Sequence, residues 1–229
     1  MSIVLLVACA IAPAVALMSY FYIRDLYDSE PLRLVGLLFL MGMLSALPVM
    51  YLVHWLDGFI SSPYAHAFIA VAVVEELSKL LVTCWFALRH REFDEEYDGI
   101  VYAVAASLGF ATVENILKAL SLGWDAIPFR TLFTVPGHAL FGVIMGFYLG
   151  KAKFALTRKK RVLFYIQAFA YPWLIHGTYD SLLISDQTIV LALTIPFMIW
   201  LWIIGLRKVR EAQECSPYKP LEKGHTHDV

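Results

Sequence analysis

Charge is what this chain has least of. Only 16% of its 229 residues are Asp, Glu, Lys or Arg, and they cancel to a net charge of −1. A soluble domain carries about a quarter charged residues. Near-neutrality removes the basic footprint that phosphate backbones need, so nucleic acid is excluded as a partner. Cysteine is scarce as well. Cys9, Cys84 and Cys215 have no metal-ligand spacing, and they read as buried apolar thiols rather than a disulfide framework. No HExxH, GxGD or GxSG motif occurs, which removes the familiar zinc, aspartyl and serine signatures of proteases that work inside membranes.

What the chain has in excess is apolar surface: 60% of its residues are hydrophobic and the mean hydropathy is +0.68. The excess is spread along nearly the whole length, so the expected fold is an all-α polytopic membrane protein. A spanning helix needs about 20 mostly apolar residues. Seven such segments are expected, at about 3–23, 34–56, 65–88, 99–121, 131–150, 162–184 and 188–206. Ala14-Val15-Ala16 resembles a cleavage site, but no Lys or Arg precedes it, so the first segment reads as an uncleaved span. Residues 1–206 form a single transmembrane domain in this reading, and 207–229 a flexible polar tail. His225 and His227 in that tail read as a solvated end.

The 18 Lys and Arg residues set the expected orientation. In a seven-span arrangement fifteen of them fall on one side, among them Arg24, Arg89, Lys151, Arg158 and Arg207. The other side has only Arg130 in a loop, with Lys79 and Lys118 inside spans. The positive-inside rule makes the rich side cytoplasmic, with the N-terminus outside and the C-terminus in the cytoplasm. Glu92, Asp94, Glu95, Glu96 and Asp98 then read as a solvated cytoplasmic turn.

Ionisable groups inside spans are costly and mark function by default. Here they are Glu75, Glu76 and Lys79 in span three, Glu114 and Lys118 in span four, His138 in span five, and His176 with Asp180 in span six. Counting from the outer span ends at 1.5 Å per residue, Glu75, Glu114, His138 and His176 all lie roughly 10–15 Å deep. Four helices thus bring polar groups to one level of the outer half-bilayer, which points to a shared, water-accessible site. Glu75 and Lys79 are spaced i,i+4 and are expected to pair; His176 and Asp180 share that spacing. Glu76 points about 100° away from Glu75, yet both glutamates are expected to border one cavity. His138 lies on a stripe with Gly142, Gly146 and Gly150, which invites close helix packing. Pro136 and Pro172 precede the two histidines and are positioned to open the backbone. Lys118 reads as an anchor that snorkels outward, and His54 as an interfacial residue of structural role.

These groups suit hydrolysis in either of two ways. His138, His176 and an acidic side chain can hold Zn²⁺ while a glutamate acts as base. Alternatively a glutamate deprotonates water without metal and histidines stabilise the oxyanion. A proton- or ion-coupled carrier is the other class that levels such groups. It is disfavoured by the lack of an internal repeat.

The segments Glu75-Glu76-Leu77-Ser78-Lys79, Phe110-Ala111-Thr112-Val113-Glu114-Asn115, His138-Ala139-Leu140-Phe141-Gly142 and His176-Gly177-Thr178-Tyr179-Asp180 resemble the PrsW family in content and order. The stretches 93–102 and 142–151, and the opening Ser19-Tyr20-Phe21-Tyr22 with its following loop, are similar to it too. The wider superfamily holds the CAAX prenyl endopeptidases, with EExxxR, FxxxH and HxxxN. Lys79 one residue early, Glu114 for a histidine and Asp180 for an asparagine separate this chain from them, leaving a CAAX-type endopeptidase with another substrate as the alternative. The resemblance implies a multi-pass protease of the bacterial cell membrane. Its substrate would be a single-span anti-sigma factor cut near the outer face, a step that frees an extracytoplasmic-function sigma factor under envelope or antimicrobial-peptide stress. It implies Glu75 as base and Glu76 as its support, with His138, His176, Glu114 and Asp180 positioning water, oxyanion or metal. Lys79 supports the glutamates.

Overall fold

The computed structural model describes residues 2–185 and 187–220, so His225 and His227 lie outside the described residues. The described residues are helical throughout, with no strand. Seven long helices follow one another: α1 (Ile3–Ile23), α2 (Leu32–Leu56), α3 (63–86), α4 (Glu96–Leu122), α5 (Ile127–Lys153), α6 (Arg158–Ile184) and α7 (Thr188–Glu214). Each coincides with an expected span. Five of them, α1, α2, α4, α5 and α7, are long and apolar enough to cross a membrane. The other two are the ones that carry Glu75, Glu76 and Lys79, and His176 and Asp180.

α4 and α5 form the centre. Every residue from Tyr97 to Thr112 and from Val135 to Phe147 is buried. Sequence explains this: both stretches are apolar or small on all sides, and a helix that is apolar all round belongs in an interior. The stripe of small residues beside His138 is where the two helices meet. A Cβ on Gly146 would overlap the carbonyl oxygen of Gly99, and one on Gly150 that of Glu96. Replacing Gly146 by Val is therefore expected to cost about 1–3 kcal/mol through overpacking. Gly36→Ala, which faces open space, is expected to be neutral. Thermal unfolding of the purified variants reads the difference.

α1 is pinned to this centre at two points. Tyr97 Oη donates to the Phe21 carbonyl (2.8 Å) and Asn115 Nδ2 to that of Ala10 (2.6 Å). On the other flank α3 and α5 each enter through π-type turns, His66–Ala72 and Arg130–Thr134. Such turns free backbone groups and cluster at functional sites. Trp173 Nε1 on α6 takes up one of those carbonyls, Phe68 O, at 2.8 Å. Pro136 stands two residues after the end of the second π-type stretch, in the first turn of the regular helix, where a missing N–H is tolerated. Pro172 leaves α6 continuous, so only the first of the two prolines accompanies an opened backbone.

Three features differ from the sequence reading. The last helix does not stop at Leu206 but runs to Glu214, because Met198, Leu201, Gly205, Val209 and Ala212 continue one buried face. The acidic segment before α4 is not a solvated turn throughout. Glu95 and Asp98 are buried and cap the helix reciprocally. Asp98 Oδ2 accepts the backbone N–H groups of Asp94 and Glu95 at 2.7 and 2.8 Å, which is what keeps it inside. Two acids of the α1–α2 loop join them. Burial, with the carboxylates around it, pushes Asp25 up to about 7 and Glu30 up to about 11. All three cysteines are free; Cys9 and Cys84 are half-buried and Cys215 is exposed, so none is the fully buried thiol expected.

Candidate active site

The two glutamates sit on α3 just past its π-type stretch, and their common partner is Lys79. Its ammonium donates to Glu76 Oε1 at 2.8 Å and to Glu75 Oε2 at 3.2 Å. The i,i+3 contact is thus the shorter, and the expected i,i+4 pair is present beside it. Lys79 is wholly buried, lies over the Phe110 ring at 4.6 Å and faces His138 Nδ1 at 3.0 Å. An ammonium cannot accept, so Nδ1 accepts and the proton of the neutral ring lies on Nε2. That nitrogen meets Glu114 Oε2 at 3.0 Å. Glu114 is held on its other oxygen by Arg130, at 2.9 Å. Arg130 also donates to Asn115 Oδ1 at 2.7 Å.

The second histidine closes the network from α6. His176 Nδ1 lies 2.8 Å from Glu76 Oε1, and its Nε2 lies 3.4 Å from Asp180 Oδ2. Its ring stacks on Phe141 at 4.9 Å and meets the His138 ring edge-on at 5.4 Å. Gly177, next in sequence, leaves room for the Phe68 ring, so α3 and α6 close around the imidazole. All seven residues singled out from the sequence, Glu75, Glu76, Lys79, Glu114, His138, His176 and Asp180, therefore stand in one continuous polar network.

The two glutamates do not share one outlook, however. A cavity of about 330 Å³ is lined by Glu75 and Glu114, with His54, Asp57, His66 and Lys118 among its other walls. Glu76 does not line it; its side chain is fully buried and turned toward Lys79 and His176. Lys118 is exposed beside the cavity, and His54 pairs with Asp57 at 3.3 Å there. His66 meets the same carboxylate at 2.5 Å. Arg130 is the participant that sequence reasoning passed over as a loop cation. The signal was its isolation, since it is the lone basic loop residue on its side of the chain.

The donor set fits a metal ion. Two groups bring ligand atoms within 4.8 Å of one another, Glu75 with Glu114 and His138, and Glu75 with Glu76 and His176. Asp180 belongs to neither. Four carboxylates here face two permanent cations, Lys79 and Arg130. Glu76 Oε2 is buried with no hydrogen-bond partner, which is unusual for a carboxylate in an interior. Imidazole and carboxylate together suit zinc.

Comparison with known proteins identifies the chain's relatives. A family model described as PrsW family intramembrane metalloprotease matches residues 30–205. The chain is 46% identical over 210 residues to Protease PrsW of Geobacillus kaustophilus, covering 91% of this chain and 92% of that one. It is 40% identical over 213 residues to Protease PrsW of Bacillus subtilis, covering 92% and 97%. With Protease PrsW of Clostridioides difficile it shares 31% over 216 residues, covering 88% and 89%. No solved structure matches the chain.

Proposed function

The chain belongs to the PrsW family of intramembrane metalloproteases, and from that premise we propose that it makes the first, outer-side cut in a single-span anti-sigma factor. It is a multi-pass peptide hydrolase of a bacterial membrane; the substrate, the side of the cut and the roles of individual residues are the proposal. The observation that carries it is the network of Glu75, Glu114, His138 and His176 beside a cavity at the helix ends opposite the fifteen basic residues. With those basic residues in the cytoplasm, the cavity opens outward, where an extracytoplasmic signal would expose a substrate.

Glu75 is the carboxylate that a water in the cavity meets, so it takes the proton as general base. The hydroxide adds to the scissile carbonyl carbon, and the charge that develops on its oxygen is met by the Nε2–H of His176, whose Nδ1 is held by Glu76. Glu75 then returns the proton to the leaving nitrogen as the C–N bond breaks. Glu114, braced by Arg130, fixes the ring of His138. Glu76 and Asp180 fix that of His176. Lys79 is the shared counter-ion of Glu75 and Glu76. A zinc ion would be held by His138 and Glu114, whose ligand atoms converge with those of Glu75, and would supply Lewis acidity toward the carbonyl when bound.

The test is cleavage of a reconstituted single-span anti-sigma substrate by the purified protein. A cut on the outer side of the substrate's span is expected. A strong chelator is expected to lower the rate by at least about tenfold, with Zn²⁺ restoring it. A cut in the cytoplasmic half would sink the outer-site reading. Full activity under exhaustive chelation would leave the glutamate and histidines to act without metal.

A further inference from the structure

At the end of the molecule away from the site, three loops pack around carboxylates that the hydrolytic mechanism does not use. Asp25 comes from the α1–α2 loop, Glu95 and Asp98 from the start of α4. One oxygen of each lies within 4.8 Å of the others. Asp98 and Glu114 are separated by sixteen residues of the same helix, about 24 Å along its axis, so this cluster is distinct from the site above.

Acidic clusters are commonplace, but this one is buried, and apart from the bonds that cap α4 several of its oxygens have no partner. Asp25 is only 7% exposed, Glu95 1% and Asp98 0%. Neither oxygen of Asp25 has a hydrogen-bond partner, nor does Asp98 Oδ1. Among the described residues no Lys, Arg or His nitrogen lies within 4.0 Å of any of the three. Glu30 borders the cluster, its carboxylate taking a hydrogen bond from Tyr102, and the last segment of the chain packs on it as well. Gln213 donates to the Arg24 carbonyl, Ser216 is buried and Tyr218 Oη donates to Asp94 Oδ2 at 2.8 Å. Chain segments far apart in sequence are thus drawn together around carboxyl groups that no cationic side chain contacts.

We propose that Asp25, Glu95 and Asp98 form the oxygen-ligand set of a hard divalent cation, Mg²⁺ or Ca²⁺, which clamps the α1–α2 loop to the first turn of α4. The ligand chemistry selects the class. An all-carboxylate set without sulfur or imidazole suits magnesium, calcium or manganese and disfavours zinc. Three carboxylates converging without a cation contradict the usual rule that buried charges are paired or coordinate metals. Bound metal resolves that and supplies a partner for the free oxygens of Asp25 and Asp98. The role is structural, since the clamp joins the end of α1 to the same α4 that carries Glu114.

Mn²⁺ serves as the probe. Titrated into chelator-stripped protein and followed by EPR, it is expected to bind in a Glu75→Gln, His176→Ala background, in which the other cluster has lost a carboxylate and an imidazole. Asp25→Asn in that background is expected to weaken binding by at least about tenfold. Asp25 makes no side-chain hydrogen bond, so its replacement leaves the fold's bonds in place. Glu95→Gln is the second variant and is expected to act alike. Competition by Mg²⁺ and by Ca²⁺ identifies the preferred ion. Addition of that ion is expected to raise the unfolding midpoint of the Glu75→Gln, His176→Ala protein but not of the form that also carries Asp25→Asn. Absence of Mn²⁺ binding in the parent background, or binding indifferent to both Asp25→Asn and Glu95→Gln, would overturn the proposal and leave the carboxylates sharing protons instead.

Discussion

Glu75→Gln is expected to lower the cleavage rate of a single-span substrate by about 10²–10⁴-fold, the range that a positioned general base contributes, while leaving the protein folded. Gln keeps the volume and an oxygen that accepts from Lys79, so the 3.2 Å contact has a neutral substitute. What is lost is basicity on the one glutamate of the α3 pair that lines the cavity. Glu76→Gln is expected to behave differently, although the two residues are adjacent. Its oxygen accepts from Lys79 at 2.8 Å and also faces His176 Nδ1 at 2.8 Å. Neutralising it weakens the hold on both, so stability and activity fall together. The measurement is a pair of curves for each variant, rate against substrate and unfolding against temperature. Equal losses of stability in the two variants would remove the distinction between a base and a buried brace. Near-full activity of Glu75→Gln would move the base elsewhere.

The span pattern was legible because hydrophobic excess and its interruptions are local properties. Each of the seven helices announces itself within about twenty residues. The common depth of Glu75, Glu114, His138 and His176 was legible for the same reason, since rise per residue converts position in a span into depth. Four things were not. The π-type stretches ahead of Glu75 and His138 carry no sequence signature; His66–Ala72 reads as ordinary apolar helix. Which way Glu76 turns depends on α6 bringing His176 to it from a hundred residues away. Arg130 reaches Glu114 only because α4 and α5 fold back on one another, so a residue counted as a topology marker is also a brace. The buried acids at Asp25, Glu95 and Asp98 were missed through a sound rule applied too widely. Acidic turns are usually solvated, and here the chain's last helix continues past the membrane window and covers one.

The same dependence on long-range pairing makes Lys79 the most exacting test. Lys79→Met is expected to destabilise the protein by about 3–5 kcal/mol, the cost of removing one partner from a buried ion pair. Total stabilities are about 5–15 kcal/mol, so low yield and early unfolding are the expected signs. The reason is arithmetic of charge: Glu75 and Glu76 lie within 3.2 Å of one ammonium, and Met leaves both in an interior with only the His176 imidazole, 2.8 Å from Glu76, beside them. Adding Glu76→Gln to Lys79→Met removes one of the stranded charges. A double-mutant cycle on the pair is expected to show coupling of about 0.5–3 kcal/mol, with the double variant more stable than Lys79→Met alone. Metal enters the same balance. A divalent ion held beside Glu75 would offset part of the charge that Lys79 offsets, so the loss in Lys79→Met should be larger in chelated than in zinc-loaded protein. Equal loss in both would place the ion's charge too far from the α3 glutamates to matter to them. No loss in either would mean that the ammonium is not their counter-ion, and the pairing on which the site is built would have to be redrawn.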